Sequence, residues 1–271
     1  TCALPISQKN HTRVLVQWGA NWCGWCKMLH ALCGSDKTIA FELRNEYEVV
    51  RVDVGRFDKH MDLAAKYGAD LKKEGLPFLT VIGADDTSVA NQETGSLELP
   101  KDAQAKGHDA AKVLAFLKAN QAPAVKAADV LAAATAQAKS EGKLVFLHFG
   151  APWCGWCHKL EAWMEKPEIA ATLAKAFVEV KVDTDRMTGG QVLLQAHTKG
   201  KPSGIPWFEV LDADGKALAN SFSRGADNIG FPAQPDEIAW FAEMLSVAKP
   251  RLSEKDIATI TESLRSPASA R

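Results

Sequence analysis

The segment 14–26, VLVQWGANWCGWC, and the segment 144–157, LVFLHFGAPWCGWC, carry the same features in the same order. Each is a short apolar run that enters a Gly-Ala turn and ends in Trp-Cys-Gly-Trp-Cys. An apolar run with this ending is typical of a buried strand that feeds a helix. Two cysteines separated by two residues are suited to dithiol–disulfide exchange, because one sulfur attacks a substrate and the other resolves the mixed disulfide.

The duplication continues beyond the cysteines. VRVD at 50–53 matches VKVD at 180–183, and LPFLTV at 76–81 matches IPWFEV at 205–210. The equivalent positions are 131, 130 and 129 residues apart at the three landmarks, which indicates two copies of one domain with few insertions. The 271 residues suffice for two domains that each bury a core. A small, Pro-punctuated stretch separates the copies, so we expect domains at 1–122 and 123–271.

Each copy is predicted to contain a strand, a Cys-bearing helix, a strand, a helix, a Pro-led strand, a strand and a helix. In the second copy a further helix leads in, from Ala127 to near Gly142. The other elements of this copy are expected at 144–149, 154–164, 177–183, 188–197, 206–212, 216–222 and 235–248. Gly215 is expected to supply a positive φ to a hairpin turn. Strands that alternate with helices and end in a hairpin predict a mixed α/β sheet.

A last helix is expected after Ser253, where Ser253 and Asp256 can form a capping pair. Ile257, Ile260 and Leu264 would lie on one face of this helix. That face either docks on the second domain or contacts another chain. The second domain is therefore expected to carry a C-terminal helical extension.

The motif Trp-Cys-Gly-x-Cys after a buried strand, with a Pro that opens a later strand, resembles the thioredoxin superfamily. The Cys-Gly-Trp-Cys form is most similar to bacterial thioredoxin-like proteins of thiol–disulfide exchange, and the similarity covers nearly all of both halves. The resemblance implies an α/β protein with two thioredoxin folds in tandem, each a mixed central sheet flanked by helices.

The resemblance also assigns the catalytic cysteines. Cys23 and Cys154 would be the nucleophiles, each at the start of a helix whose amide N–H groups and dipole favour a thiolate. Cys26 and Cys157, one turn further along, would be the resolving thiols.

A substrate-binding surface is implied around each cysteine pair. Pro77 and Pro206 are expected to follow cis peptide bonds, which are inexpensive only before proline. The backbone of Leu76 and Ile205 would then be free to pair with an extended substrate. Four tryptophans complete this surface. Trp22 and Trp153 would shield the cysteines, whereas Trp25 and Trp156 would contact an apolar polypeptide segment or only pack on the start of the helix.

The two copies differ six residues before the first cysteine, where the family usually has a buried Asp that moves the proton of the resolving thiol. Gln17 cannot titrate, so the first copy lacks this relay. His148 would act as a base near neutral pH, or be a core histidine bonded to a backbone carbonyl. His158, beside Cys157, would favour the thiolate as a cation or be an inert surface residue.

Two cysteines have no counterpart in the second copy. Cys2 and Cys33 are candidates to pair with each other, Cys33 is equally a candidate core thiol, and lipidation is an alternative for Cys2. A structural zinc ion needs four ligands. Cys33 and a residue such as His30 would have to complete the set at the first pair, and we expect no metal site.

Composition excludes several classes of partner. The net charge is −1 and no basic cluster occurs, so a nucleic-acid partner is not expected. No apolar run approaches the length of a membrane span. Without a glycine-rich nucleotide fingerprint no cofactor is expected, and another protein would donate or accept the electrons. The start at Thr1, without Met, suggests a processed protein that is periplasmic or otherwise exported, with the cytoplasm as the alternative.

The sequence therefore predicts a thiol–disulfide oxidoreductase that exchanges disulfides with protein substrates through two dithiol sites. A reductase or isomerase is favoured over an oxidase. The alternative is a redox-inactive module of the same fold that binds proteins or acts like a chaperone, because duplicated domains often lose activity in one copy.

Overall fold

Each half of the chain folds around a four-stranded mixed sheet, in a computed structural model that describes residues 3–223, 227–249 and 251–265. The strands of the first half are β1 (Arg13–Gly19), β2 (Tyr47–Asp53), β3 (Phe78–Ile82) and β4 (Ser88–Glu93). Those of the second half are β5 (Leu144–Gly150), β6 (Phe177–Asp183), β7 (Trp207–Leu211) and β8 (Ala217–Asn220). The chain divides between Pro123 and Ala124, one residue beyond the predicted boundary.

The two sheets have the same topology. Their strand orders are β2-β1-β3-β4 and β6-β5-β7-β8. In each sheet the first strand lies parallel to the second and antiparallel to the third, and the third and fourth form an antiparallel hairpin. This arrangement confirms the predicted α/β fold class, two mixed sheets in tandem.

Helices flank both sheets. Those of the first half are α1 (Ala3–Asn10), α2 (Gly24–Ser35), α3 (Lys37–Glu46), α4 (Met61–Lys66), α5 (Leu71–Glu74) and α6 (Ala110–Ala119). Those of the second half are α7 (Ala127–Glu141), α8 (Gly155–Met164), α9 (Pro167–Leu173), α10 (Gly190–His197), α11 (Pro235–Leu245) and α12 (Glu254–Arg265). No helix in the described part of the chain combines the length and apolarity that a bilayer crossing requires.

Side-chain alternation along the strands gives each sheet two apolar faces. In the second half, Phe146 packs with residues of α8, α9, α11 and α12, whereas Leu147 faces α7 and α10. In the first half, Leu15 faces α2, α3 and α6, and Val16 packs with residues of α4 and α5. The central strands β1 and β5 are therefore covered on both sides, which explains their nearly continuous apolar sequence.

The predicted element order lacked the helices α3 and α9, and it had a single helix where the first half has both α4 and α5. Pro167 is the first residue of α9, where a missing N–H costs nothing and the proline φ suits a helix. Asp36 caps α3 by accepting from the amides of Thr38 and Ile39, both at 2.9 Å. In each half the Cys-bearing helix is followed at once by a second helix before the parallel strand.

The C-terminal extension docks on its own domain. Ile260 and Leu264 of α12 are buried in the core beneath α8, and Trp163 Nε1 donates to Ser263 Oγ at 2.8 Å. Ser253 and Asp256 form the predicted cap, in which the Asp256 amide donates to Ser253 Oγ at 3.1 Å. The apolar face of α12 is thus used within the second unit.

Candidate active site

Both cysteine pairs lie at the first turn of a helix and are joined as disulfides, Cys23–Cys26 and Cys154–Cys157. Cys23 is the N-cap of α2 and Cys154 is the N-cap of α8. In each pair the amide N–H of the second cysteine donates to the first sulfur, at 3.1 Å. After reduction the same N–H would stabilise a thiolate on the first sulfur.

The preceding strand approaches the second cysteine of each pair very closely. A Cβ atom on Gly19 would lie 3.3 Å from Cys26 Sγ, and one on Gly150 would lie 3.3 Å from Cys157 Sγ. A larger residue at either position would push the resolving sulfur away. This contact accounts for glycine at the ends of β1 and β5. Cys157 is only 2% exposed, whereas Cys26 is partly exposed.

The bonds Leu76–Pro77 and Ile205–Pro206 are both cis, as the family resemblance implied. The carbonyl oxygen of Ile205 lies 3.5 Å from Cys154 Sγ, so this loop borders the second disulfide. Ile205 also packs on the small cluster that contains both cysteines of the second pair. The predicted role of these backbone segments in substrate pairing stays a prediction.

Two polar side chains that the sequence analysis did not single out hold the cis-proline loops. Thr94 Oγ1 donates to the Pro77 carbonyl at 2.7 Å. Asn228 Nδ2 donates to the Pro206 carbonyl at 2.9 Å and to the Gly204 carbonyl at 2.8 Å. Both come from segments that follow the hairpin, and their partners become apparent only in the folded chain.

The tryptophans before the first cysteine of each pair are exposed, and each makes a hydrogen bond. Trp22 Nε1 donates to the Gly55 carbonyl at 2.7 Å, and Trp153 Nε1 donates to Asp185 Oδ2 at 2.7 Å. Both partners lie in the loop that follows the parallel strand. Each ring is therefore fixed next to the start of the cysteine helix, and the shielding of the cysteines stays a prediction.

The tryptophans between the cysteines have different surroundings in the two halves. Trp156 is 53% exposed and stacks on Phe231, with a centroid distance of 6.1 Å. Trp25 is less exposed and meets His108 edge-on at 5.6 Å. A cavity of about 520 Å³ lies against Trp156 and the cis-proline loop, and its lining includes Ile205, Pro206, Lys201 and Phe231. The second site thus has a groove beside its disulfide.

At the position six residues before the first cysteine, the first site has a neutral amide side chain. Gln17 is buried, and its Oε1 accepts from Arg51 Nε at 3.3 Å. Its Nε2 lies 3.9 Å from the sulfur of Cys33, a free and buried thiol. Burial raises the pKa of the Cys33 thiol, and the nearby Arg51 opposes that effect. Cys2 lies outside the described residues.

The second site has a charged network in the same place. His148 is buried on β5, and its Nε2 donates to Glu179 Oε1 at 3.1 Å, so its partner is a carboxylate and not a backbone carbonyl. Beside it on β6, Lys181 Nζ lies 2.8 Å from Glu161 Oε1 of α8. His158 Nε2 donates to the Pro152 carbonyl at 2.7 Å.

The sequence analysis missed Glu161. Its only signal in the sequence is its position one turn after Cys157, a spacing that places both residues on the same helix face. Elsewhere, no three His, Cys, Asp or Glu side chains among the described residues are grouped as metal ligands.

Comparison with known families gives two matches. The family profile Thioredox_DsbH, described as "Protein of unknown function, DUF255", matches residues 109–251, more than half of the chain. The thioredoxin profile matches residues 5–100. Two profiles of this kind, together with two CxxC disulfides, support a thiol–disulfide oxidoreductase.

Individual relatives are more distant. Protein disulfide-isomerase erp38 of Neurospora crassa is 26% identical over 198 residues, which cover 72% of this chain and 50% of that protein. The chain therefore spans about half the length of this curated relative. The solved disulphide isomerase of Xylella fastidiosa Temecula1 is 26% identical, covers 44% of this chain and 85% of its own, and has a TM-score of 0.37. The structure titled "DsbH Oxidoreductase" is 24% identical, with coverages of 47% and 85% and a TM-score of 0.33.

Proposed function

The chain belongs to the Thioredox_DsbH family, and from this premise we propose that it exchanges disulfides with protein substrates, as a reductase or isomerase. One observation carries the proposal. Both halves have a cysteine pair at a helix start and a later cis-proline bond, and in the second half this proline loop borders the pair, with the Ile205 carbonyl 3.5 Å from Cys154 Sγ. A substrate disulfide that reaches Cys154 must therefore pass along that loop.

The reaction needs only the two sulfurs of a pair. The Cys154 thiolate attacks one sulfur of a substrate disulfide and forms a mixed disulfide, and the other substrate sulfur leaves as a thiolate. Cys157 then loses its proton and attacks the sulfur of Cys154. The substrate sulfur that was bound to Cys154 leaves and takes a proton. The substrate is then a dithiol, and the enzyme carries the Cys154–Cys157 disulfide. A dithiol protein must reduce that disulfide before the next turnover.

The surroundings of the second pair favour polypeptide substrates. Trp156 presents an exposed ring, and the groove beside it is open, mixed in polarity and bordered by the Ile205–Pro206 backbone. An extended segment can contact an aromatic ring and a backbone edge at the same time. The relative named a protein disulfide-isomerase supports isomerisation as one of the two directions.

A redox titration that reports each pair separately tests this function. The full chain is equilibrated in dithiothreitol or glutathione buffers, the free thiols are alkylated, and peptide mass spectrometry measures the reduced fraction of each pair. A reductase is expected to have a potential near that of thioredoxin, about −270 mV, and an isomerase one near −180 mV. A pair poised near −120 mV would indicate an oxidase instead. If neither pair exchanges, the function is wrong and a protein-binding module takes its place.

A further inference from the structure

The resolving cysteine of the second site lies where its proton has no direct route to water. Cys157 is 2% exposed and packs under Ala151 and Ile205. To attack the mixed disulfide it must first become a thiolate, and burial disfavours the charged form. A base within the domain has to take this proton during the exchange.

Glu161 borders the same space as the Cys157 sulfur. A Cβ atom on Gly150 would lie 3.3 Å from Cys157 Sγ and 3.7 Å from Glu161 Oε1, so both atoms face the point that the glycine leaves open. One bridging water molecule, or a small rotation of the carboxylate, would connect them across this gap. Because Gly150 at the end of β5 has no side chain, the sulfur and the carboxylate both border the same space.

The carboxylate is buried and held in position. The Glu161 side chain is 12% exposed and pairs with Lys181 Nζ at 2.8 Å, whose side chain is 10% exposed. Oε1 accepts no hydrogen bond of regular geometry, which is rare for a buried oxygen. A fixed carboxylate oxygen with capacity for one more donor is suited to receive a thiol proton.

The second carboxylate oxygen lies near an exposed side chain. Oε2 lies 3.9 Å from His158 Nδ1, and the His158 side chain is 54% exposed. Since His158 Nε2 donates to the Pro152 carbonyl, Nδ1 is the nitrogen that is left to exchange a proton with Glu161. Glu161 therefore stands between the buried sulfur and an exposed imidazole.

The other ionisable groups around this network have partners of their own. His148 of β5 is bonded to Glu179 of β6, at 3.1 Å. Asp183, at the end of β6, accepts from the amides of Asp185 and Arg186, each at 2.9 Å, and burial raises the pKa of its carboxyl. Among these groups, Glu161 is the one that the Gly150 gap joins to Cys157.

We propose that Glu161, positioned by Lys181, accepts the proton of the Cys157 thiol and passes it through His158 to solvent. The inference rests on the proposed exchange function. The S–H bond of Cys157 breaks and an O–H bond forms on Glu161, while the electron pair of the new thiolate forms the bond to Cys154. The bond between Cys154 and the substrate sulfur breaks, and the substrate leaves as a thiolate.

The first site has no equivalent of this carboxylate. The residue one turn after Cys26 is His30, which is exposed, and Arg51 occupies the place of Lys181 but is bonded to Gln17. The first site is therefore an internal comparison in the same chain, with the same pentapeptide and cis-proline loop. The proton route belongs to the second site.

The two chemical steps can be separated with dithiobis-nitrobenzoate as the substrate. In the full chain with Cys2, Cys23 and Cys26 changed to Ser, attack by Cys154 releases one thionitrobenzoate and resolution by Cys157 releases a second. Glu161→Gln is expected to slow the second release at neutral pH by about tenfold or more, as for loss of a general base. The first release should stay within about twofold, and Glu161→Asp should recover part of the rate.

The controls decide between the outcomes. Glu168→Gln removes an exposed carboxylate of α9 and should change neither release. If Glu161→Gln leaves the second release unchanged across pH 6 to 9, or slows both releases equally, the assignment of Glu161 is wrong. If His148→Asn alone slows the second release, the relay is His148. If the parent chain shows no second release, the exchange function itself fails, which is a different result.

Discussion

At the scale of single residues, the two sites differ in the ring that supports the central tryptophan. Trp156 stacks on Phe231, whereas Trp25 rests on His108. His108 is buried, and neither of its ring nitrogens has a hydrogen-bond partner among the described residues. Burial lowers the pKa of His108, since a charged imidazole would lose its hydration there.

This burial predicts that the first domain loses stability in mild acid. The unfolded chain protonates His108 near its usual pKa, about 6.5, whereas the folded chain resists protonation until a lower pH. The unfolded state therefore binds more protons below that value, and the free energy of unfolding falls as the pH drops from 7 to 5. His108→Phe should flatten this dependence, and His30→Gln, at an exposed position, should not.

Cys33 provides the measurement, because it is a free thiol buried in the core of the first domain. Its rate of alkylation in urea, read by mass spectrometry of its peptide, reports unfolding of that domain alone. Equal pH dependence in the parent and in His108→Phe would show that the imidazole does not cause the loss of stability in acid.

A second prediction at this scale concerns Gly150. Gly150→Ala would place a methyl carbon 3.2 Å from Cys157 Cβ, which is closer than the packing accepts without a shift. Such overpacking costs about 1–3 kcal/mol. We expect faster hydrogen exchange of the β5 amides in this variant. Gly34→Ala, where no atom outside the local helix backbone lies within 4 Å of the new carbon, should be neutral or stabilising, and an equal effect of both variants would contradict the argument.

At the scale of elements, the strands and the cysteine helices could be predicted from the sequence because their signals are local. β6 was predicted at 177–183 and is found there. α7 was predicted from Ala127 to near Gly142 and ends at Glu141, followed by Gly142 at a positive φ. In the first-half hairpin, Asp86 takes the positive φ that Gly215 supplies in the second. An Asp tolerates that conformation, so the equivalent turn forms without glycine.

The missed features depend on contacts between distant segments or on weak local signals. α9 is short and follows α8 after two residues, so its apolar pattern merges with that of α8 until Pro167 is recognised as a helix start. The hydrogen bond from Asn228 to the Pro206 carbonyl joins residues 22 positions apart, and no periodicity in the sequence reveals it. The Glu161–Lys181 pair depends on how α8 lies over β6, which the sequence does not specify directly.

The docking of α12 leads to a prediction about this element. Ile260 is fully buried in the core that α12 shares with α8 and α11, whereas Ile257 only borders it. Ile260→Ala should therefore lower the free energy of unfolding of the second domain by about 2–4 kcal/mol, and Ile257→Ala by clearly less. Urea unfolding followed by hydrogen exchange of α11 measures both. Equal losses, or losses that depend on protein concentration, would instead indicate a contact between chains.

At the scale of the whole molecule, one fold carries two chemically different sites. The pentapeptide, the cis-proline loop and the glycine at the strand end are the same in both halves. Beneath the cysteine helix, however, the first half has Gln17, Arg51 and a thiol, and the second has two acid–base pairs. The shared parts could be predicted from the duplication, and the differences in chemistry emerge from side chains that only the fold brings together.

This asymmetry predicts unequal shares of the activity. The second site has the groove beside Trp156 and a carboxylate next to its resolving thiol, so it should turn over faster than the first. Cys154→Ser is expected to remove more than half of the turnover with a disulfide-bonded protein such as insulin under dithiothreitol, and Cys23→Ser to remove less than half. The double variant should be inactive and gives the background rate. Full activity of the Cys154→Ser chain would show that the first domain carries out the exchange, because Cys157 cannot complete an exchange without Cys154.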